Sequence, residues 1–155
     1  MPLQFTYLAD DPDQVAQVID WWYSIWADRM GSDLEAARQQ LHNALGTEEL
    51  PIHLLARIDG EAVGTATLKL QELGDLYPDC QYWLGSVFVT EAHRGKQIAA
   101  RLVEQIIALA RARGLPHLYL QTVNLTGGLY AKLGWQPVEE FDYRGARTLL
   151  MRKIL

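Results

Sequence analysis

A basic turn between a strand-like run and a helix-like segment is the strongest candidate for a binding site. The apolar run 86–89 ends in a polar turn, and Arg94-Gly95-Lys96-Gln97-Ile98-Ala99 then opens an amphipathic segment. The first turn of a helix leaves about four backbone N–H groups without intrahelical partners, and the helix dipole favours negative charge there. The pattern therefore predicts a phosphate or pyrophosphate site, although taken alone it fits a solvated basic turn equally well.

Length and composition indicate a globular protein. The chain has 155 residues, of which 49% are hydrophobic and 21% charged, so we expect a single domain over residues 1–155. No apolar run approaches the 20 residues that a membrane-spanning helix needs, and residues 1–5 lack the features of a signal peptide. Cys80 is the only cysteine, which excludes an intramolecular disulfide and favours a cytoplasmic location.

Charge is divided unevenly along the chain. Residues 1–77 carry 4 Lys or Arg and 13 Asp or Glu, a net charge of −9, whereas residues 78–155 carry 10 and 6, a net charge of +4. The division predicts one anionic and one cationic ligand, unless the charges simply cover solvated helices. The overall charge of −5 argues against nucleic acid as the main partner.

The histidines do not predict a metal site. They are scattered along the sequence, and none has the spacing of a metal ligand. We therefore expect surface or structural roles for His42, His53, His93 and His117.

Hydrophobic periodicity predicts the elements that would position the basic turn. In chain order, the sequence predicts a strand over 3–9, helices over 12–31 and 32–46, strands over 52–58, 62–70 and 82–89, a helix over 99–114, a strand over 118–123, a short helix within 124–133, and strands over 135–141 and 147–154. This order favours an α/β protein of α+β type, with a mixed, mostly antiparallel central sheet flanked by helices. The helix after the strand that ends at residue 89 should be a right-handed crossover between parallel strands.

Two local patterns predict how elements begin and connect. Ser32 and Glu35 have the spacing of a capping box at the start of the second helix. Asp59-Gly60 is a strong signal for a tight hairpin turn.

The element order and two motifs resemble the GNAT superfamily of acyl-CoA-dependent N-acyltransferases. The family's central signature is Gln or Arg, two residues, Gly, one residue, then Gly or Ala; here it is Arg94–Ala99, with Gln97 where the family usually has Gly. The second motif is Asn124 after a strand, followed by Leu-Tyr-Ala-Lys-Leu-Gly-Trp over 129–135. The resemblance runs from about residue 50 to the C-terminus, and it implies a GNAT-like fold.

The resemblance also implies an activity and a cosubstrate. It implies an N-acetyltransferase that transfers an acetyl group from acetyl-CoA to a primary amine of a small molecule or peptide by direct attack, with no metal. The backbone N–H groups of Val87, Phe88 and Val89 would hold the pantetheine and polarise the acetyl carbonyl. The six residues of the basic turn, Arg94 to Ala99, would hold the pyrophosphate.

Two residues of the second motif gain roles from the resemblance. Tyr130 would donate a proton to the leaving thiolate, and Asn124 would contact the pantetheine arm. Each has a structural alternative, because a tyrosine also packs well between a helix and a sheet, and Asn is a favoured helix N-cap.

Neither the general base nor the acceptor is identified by the sequence. Glu72, Asp75, Asp79 and Asp142 are candidates for the base, as is a chain of waters. The charge division predicts a cationic acceptor, because residues before 78 flank the acceptor cleft in the resembled fold.

The first helix is rich in aromatic residues that have two possible roles. Trp22 and Trp26 lie on its apolar stripe and are expected in the core. Trp21 and Tyr23 lie off the stripe and could wall an acceptor pocket, and exposed aromatics leave a homodimer open.

Two other function classes remain open at this stage. One is a non-catalytic acyl-CoA sensor or interaction module, favoured by Gln97 and by the lack of an evident base. The other is a phosphate-binding fold of unrelated function. Neither nucleic acid nor a membrane is an expected partner.

Overall fold

Seven strands form one mixed sheet in the computed structural model of the protein, which describes residues 2–155. The spatial order is β1-β2-β3-β4-β5-β7-β6. The strands are β1 (Leu3–Tyr7), β2 (Ile52–Ile58), β3 (Glu61–Lys69), β4 (Trp83–Val89), β5 (His117–Thr122), β6 (Gln136–Tyr143) and β7 (Ala146–Ile154). The helices are α1 (Val15–Met30), α2 (Leu34–Asn43), α3 (Ile98–Ala112) and α4 (Gly128–Lys132).

The predicted mixed, mostly antiparallel sheet and its element order are confirmed. All neighbouring strands pair antiparallel except β4 and β5, which α3 connects and which run parallel as predicted. This parallel pairing has one registered pair, Trp83 with Tyr119. Beyond that pair the two strands have no registered pairing, and a space lies between them.

Helices cover both faces of the sheet, and successive side chains of β2 point alternately to the two faces. Leu54 and Ala56 join the core beneath α3, whereas Leu55 joins the core formed with α1 and α2. On α3, Leu102 and Ile106 are fully buried at helical spacing. Among residues 2–155, no helix combines the length and apolar character needed to cross a membrane.

Strand β4 contains a bulge at the end of its pairing with β5. Thr65 pairs with Phe88 and Thr67 with Gly85, so that Ser86 and Val87 together oppose one residue of β3. Ser86 adopts a left-handed conformation with φ of 53°. Such bulges bend a strand and redirect its backbone groups.

The start of α2 differs from the capping-box prediction. Asp33 is the N-cap, and its Oδ1 accepts a hydrogen bond from the Ala36 N–H at 3.0 Å. The Ser32 and Glu35 prediction is therefore wrong by one residue, because an aspartate is at least as good an N-cap as a serine. The predicted turn at Asp59-Gly60 is confirmed, with both residues at positive φ as a type I′ turn requires.

Helix α1 is shorter and less regular than predicted. Short 3-10 turns occupy 8–10 and 12–14, so α1 begins at Val15 rather than near Pro12. Trp26 interrupts the helix with φ of −120° and ψ of 35°. This kink separates the last turn of α1 from the rest of the helix.

Candidate functional site

A cavity lies between β4 and β5, where the two strands no longer pair. It has a volume of about 390 Å³, within the range of small-molecule sites. We call it the central cavity. Its lining comes from α1, the end of β3, β4, β5, α4 and β7, and consists of Trp22, Trp26, Arg29, Met30, Lys69, Glu72, Leu84, Gly85, Ser86, Val87, Leu120, Gln121, Thr122, Val123, Tyr130 and Thr148.

The bulge turns backbone donors of β4 away from β3. The Ser86 carbonyl accepts from Thr65 Oγ1 at 2.8 Å, so the N–H of the same peptide, at Val87, points in the opposite direction. The Thr90 N–H donates to the Val63 carbonyl, and antiparallel alternation then directs the Val89 N–H away from β3 as well. By the same alternation the Phe88 N–H faces β3, so this residue does not offer the donor expected of it.

Tyr130 lines the central cavity from α4. Its ring packs edge-on against Trp135, with ring centroids 6.2 Å apart. Burial, and then the negative charge of Glu72, raise the pKa of Tyr130 to about 12. The phenol is therefore protonated at neutral pH and holds a proton that it can donate.

Glu72 is the one predicted base candidate that lines the central cavity. Its Oε1 accepts from Lys69 Nζ at 2.9 Å, and the Glu72 side chain is 16% exposed. Asp75, Asp79 and Asp142 do not line the cavity, and Asp142 pairs with an arginine 3.2 Å away. The structure thus favours Glu72 among the four candidates.

Gly85 makes room for the pair of Lys69 and Glu72. A Cβ atom at position 85 would lie 2.9 Å from Glu72 Oε2 and 3.0 Å from Lys69 Nζ. The carboxylate and the ammonium group therefore lie directly over the backbone of β4, beside the bulge.

A second cavity lies against the basic turn. We call it the loop cavity; it has a volume of about 210 Å³ and is lined by Val89, His93, Arg94, Gly95, Gln97, Ile98, Ala99, Ala100 and Leu129. The first intrahelical bond of α3 runs from the Arg101 N–H to the Gln97 carbonyl, and no side chain caps the helix. The N–H groups of residues 98–100 thus have no intrahelical partner next to this cavity.

The two basic residues of the turn occupy different positions. Arg94 lines the loop cavity, and its Nε donates to the Val89 carbonyl at 3.0 Å, which ties the turn to the end of β4. Lys96 is exposed and does not line the cavity. Positive charge at the cavity therefore comes from Arg94.

Gln97 adopts the backbone conformation that the family's glycine would favour. It lies in the left-handed region with φ of 63° and ψ of 19°, at the N-cap of α3, and it is exposed. The departure from the family signature therefore places an exposed side chain on a left-handed backbone position.

Asn124 stabilises the turn before α4 and lines neither the central cavity nor the loop cavity. Its Oδ1 accepts from the Thr126 N–H at 3.1 Å and from the Thr126 hydroxyl. Its Nδ2 would lie 2.7 Å from a Cβ at Gly128, so the two adjacent glycines let the chain turn tightly around this amide. The structural alternative, an N-cap, is wrong, because Gly127 is the N-cap of α4 and no side chain caps that helix. Asn124 instead stabilises the preceding turn, and its contact with pantetheine stays a prediction.

The aromatic residues of α1 divide between the core and the central cavity, and Trp21 and Trp22 both pack against the core formed with α1 and α2. Trp22 and Trp26 line the central cavity, whereas Trp21 stacks on Phe88 with ring centroids 5.5 Å apart, and Tyr23 lies outside the lining. Hydrophobic periodicity reveals neither the kink at Trp26 nor the bulge in β4. An apolar stripe on a regular helix therefore did not predict which aromatic residues line the cavity.

A side cavity of about 240 Å³ adjoins the central cavity and shares Trp22, Lys69 and Ser86 with it. His53 lines it, with Nδ1 2.8 Å from the Thr67 hydroxyl oxygen. Burial, and then the positive charge of Lys69, lower the pKa of His53 to about 4. His53 is neutral at physiological pH and has the structural role expected of it.

The charges around the central cavity do not follow the division of charge along the sequence. Of the 13 acidic residues in 1–77, Glu72 alone lines the cavity, together with Lys69 and Arg29. The basis for a cationic acceptor is therefore absent from the lining. Arg29 was not identified as a site residue from the sequence. The sequence feature that could have indicated it is its place in the last turn of an amphipathic helix.

Comparison with known proteins identifies relatives of this chain. Residues 15–135 match the model of the family described as "Acetyltransferase (GNAT) family". A segment of 64 residues is 33% identical to the uncharacterized N-acetyltransferase YobR of Bacillus subtilis (strain 168), and it covers 39% of this chain. The match spans 26% of that relative's length.

Two solved structures illustrate the shared fold. A ribosomal-protein-alanine N-acetyltransferase from Brucella melitensis superimposes with a TM-score of 0.75 at 20% identity, covering 100% of both chains. PaiA N-acetyltransferase from Thermoplasma acidophilum, in complex with coenzyme A, gives 0.72 at 19% identity, again over 100% of both chains. At these identities the likeness establishes the fold alone.

In residues 2–155, no three His, Cys, Asp or Glu side chains are grouped as a metal site would require.

Proposed function

This chain belongs to the acetyltransferase (GNAT) family, and we propose that it transfers an acetyl group from acetyl-CoA to a primary amine of a small molecule or peptide by direct attack. The observation that carries the proposal is the convergence of three groups on the central cavity: the open edge of β4, the Glu72 carboxylate and the Tyr130 phenol. The open edge is the edge at Val87 and Val89, whose N–H groups point away from β3. Direct transfer needs a donor for the oxyanion, a base for the amine and an acid for the thiolate.

The loop cavity fits the pyrophosphate of the cosubstrate. Unpartnered N–H groups of residues 98–100 and the Arg94 guanidinium supply the donors and the positive charge that a pyrophosphate requires. The left-handed conformations of Gly95 and Gln97 keep the turn open in front of α3. Arg94 also donates to the Val89 carbonyl, and Val89 itself lines the loop cavity, so this cavity lies at the end of β4.

Acetyl-CoA would supply a thioester whose carbonyl carbon the amine attacks and whose sulfur leaves as a thiolate. The Val87 and Val89 N–H groups would hold the pantetheine and donate to the developing oxyanion. Glu72 Oε2 would accept the proton of the amine, since Lys69 binds the other oxygen of the carboxylate, Oε1. Tyr130 would donate its proton to the thiolate. Glu72 thus gains one proton from the amine while Tyr130 gives up one to the sulfur.

Glu72 and Tyr130 are linked through charge. The negative charge of Glu72 contributes to the raised pKa of Tyr130. Once Glu72 has accepted the amine proton, that contribution disappears and Tyr130 becomes a stronger acid. Protonation of the base thus prepares the acid for the departure of the thiolate.

The test is release of thiol from acetyl-CoA in the presence of a panel of primary amines, with the acetylated product identified by mass. We expect thiol release that depends on the amine and stoichiometric N-acetylation. Binding of coenzyme A without turnover for any amine would instead support the non-catalytic sensor. The two grounds for that alternative are weaker in the structure, because Gln97 keeps the turn intact and Glu72 lines the cavity. A cytoplasmic location is part of the proposal.

A further inference from the structure

Arg29 is a cation at the central cavity that no acidic side chain neutralises. It lies in the last turn of α1, beyond the kink at Trp26, and it lines the cavity. Among residues 2–155, it forms neither an ion pair nor a side-chain hydrogen bond. Lys69, the other cation of the lining, is paired with Glu72 at 2.9 Å. The lining therefore carries one uncompensated positive charge.

The hairpin between β6 and β7 holds this last turn in place. Arg144 Nη1 donates to the Asp28 carbonyl at 2.9 Å, and Arg144 Nε donates to the Tyr143 hydroxyl at 3.1 Å. The Arg29 guanidinium lies over the Tyr143 ring at 5.4 Å from its centroid. A planar guanidinium positioned on an aromatic ring loses little further freedom when it binds a planar anion.

The cavity thus presents a negative group and a positive group to one small ligand. Glu72 Oε2 is the group proposed to accept the amine proton, and Arg29 lies on the α1 side of the same 390 Å³ space. Trp22 and Trp26 supply apolar surface to the same lining. This pattern complements a molecule that carries an amino group, a carboxylate and an apolar part.

From these features we infer that the acceptor is a small amino acid whose carboxylate binds Arg29 while its amino group faces Glu72. The inference rests on the proposed acetyl transfer and names the substrate class of that site. An arginine binds a carboxylate through two parallel N–H···O bonds, which fixes the orientation of the amino acid as well as its affinity. A peptide N-terminus, an amide or a decarboxylated amine lacks that carboxylate beside its amine.

The experiment compares sets of three matched amines: an apolar amino acid, its carboxamide and its decarboxylated amine. Thiol release from saturating acetyl-CoA is measured for the wild-type chain, for Arg29→Gln and for the control Arg111→Gln. Arg111 is an exposed arginine in the last turn of α3, so its replacement makes the same change at a helix end. Calorimetric titration of the amino acids into the protein with coenzyme A bound measures affinity without turnover.

We expect the wild-type chain to prefer the amino acid over its carboxamide by about 10- to 100-fold in kcat/KM, as hydrogen bonds to a charged group suggest. Arg29→Gln should abolish this preference by raising the KM for the amino acid, with the KM for acetyl-CoA unchanged. Arg111→Gln should behave as wild type. Equal or better use by the wild type of the two amines that lack a carboxylate, or equal losses for all three amines in Arg29→Gln, would overturn the inference.

Failure of acetyl transfer itself has a different signature. If no amine in the panel releases thiol, the proposed function fails, and the titration alone then decides the inference. Binding of the amino acid that is lost in Arg29→Gln and retained in Arg111→Gln would support a carboxylate site. Absence of binding to the wild type would overturn it.

Discussion

At the scale of single residues, the site depends on one close approach between side chains and backbone. The ion pair of Lys69 and Glu72 lies over Gly85, with no space for a side chain at that position. The carboxylate proposed as base and the bulge that exposes the Val87 N–H are thereby held side by side.

Gly85→Ala should displace the ion pair while leaving the fold intact. The atoms that a methyl group would meet are the ends of two flexible side chains, which can move at little cost. We expect kcat for acetyl transfer to fall while the free energy of unfolding changes by less than about 1 kcal/mol, the scale of most mutations without core strain.

Gly74→Ala is the matched control for this substitution. Gly74 has open space around the position of a Cβ atom, and its φ is not in the left-handed region. Kinetics and chemical denaturation of both variants check the expectation. Wild-type kcat in Gly85→Ala would show that the position of Glu72 does not matter to turnover.

Single residues were predictable where a motif named them and unpredictable where only tertiary packing selects them. Tyr130 belongs to a sequence motif, and the structure brings it to the central cavity. Glu72 was one of four acidic candidates, because sequence distance does not tell which carboxylate a loop returns to the sheet. Trp22 was assigned to the core, since periodicity cannot distinguish an apolar stripe that packs from one that lines a cavity.

At the scale of elements, the turn into α3 carries backbone strain, because a residue other than glycine occupies a left-handed position. A non-glycine residue in the left-handed region costs roughly 1–2 kcal/mol, and Gln97 has φ of 63°. The side chain is exposed, so nothing in the fold depends on its packing.

Gln97→Gly should therefore stabilise the protein by up to about 1 kcal/mol, because relief of strain exceeds the greater chain entropy of glycine. Affinity for coenzyme A should be kept or improved, since the donors of residues 98–100 remain in place. Chemical denaturation and calorimetry measure both quantities. A marked loss of affinity would show that the Gln97 side chain itself donates to the phosphates.

Arg94→Ala should weaken coenzyme A binding more than Lys96→Ala does. Arg94 lines the loop cavity and connects it to Val89, whereas Lys96 is exposed outside the lining. Loss of a charge-assisted contact to phosphate is worth about 1.5–3 kcal/mol. Calorimetry on the two variants gives the comparison, and equal affinities would remove Arg94 from the pyrophosphate site.

Element order and pairing were predictable because hydrophobic periodicity and crossover handedness fix them locally. The parallel pair of β4 and β5 and the turn at Asp59-Gly60 followed from such rules. The kink at Trp26 and the bulge at Ser86 did not, and both lie beside contacts from residues that are distant in the sequence. Arg144 reaches the Asp28 carbonyl from the far end of the chain, and Thr65 holds the Ser86 carbonyl from the neighbouring strand.

At the scale of the whole molecule, the charge carried by each half of the sequence does not describe the field inside the cavity. The acidic half contributes both Arg29 and Lys69 to the lining, and only one of its carboxylates. Ligand charge is therefore set by which few side chains a fold turns inward, while the remainder face solvent.

Folding stability should fall as the pH is lowered from about 6.5 towards 4 because of His53. Burial and Lys69 lower the pKa of His53 to about 4, below its unfolded value of about 6.5. In this range the unfolded chain binds a proton that the folded chain does not, so the free energy of unfolding decreases by up to about 3 kcal/mol.

Chemical denaturation at pH 7 and pH 5 measures this dependence in the wild type, in His53→Gln and in His42→Gln. The first variant should lose most of the decrease, whereas the second, at an exposed histidine of α2, should retain it. An unchanged decrease in His53→Gln would assign the effect to other groups.

The most direct test of the central claim is the single-turnover rate of thiol release from acetyl-CoA by the wild type, Tyr130→Phe and Glu72→Gln, with the affinity for coenzyme A measured in parallel. We expect each substitution to reduce the rate by about 10²–10⁴-fold, the range of general acid–base catalysis. The affinity for coenzyme A should remain unchanged in both variants. Wild-type rates in both variants would contradict the claim that Glu72 and Tyr130 act as base and acid in acetyl transfer.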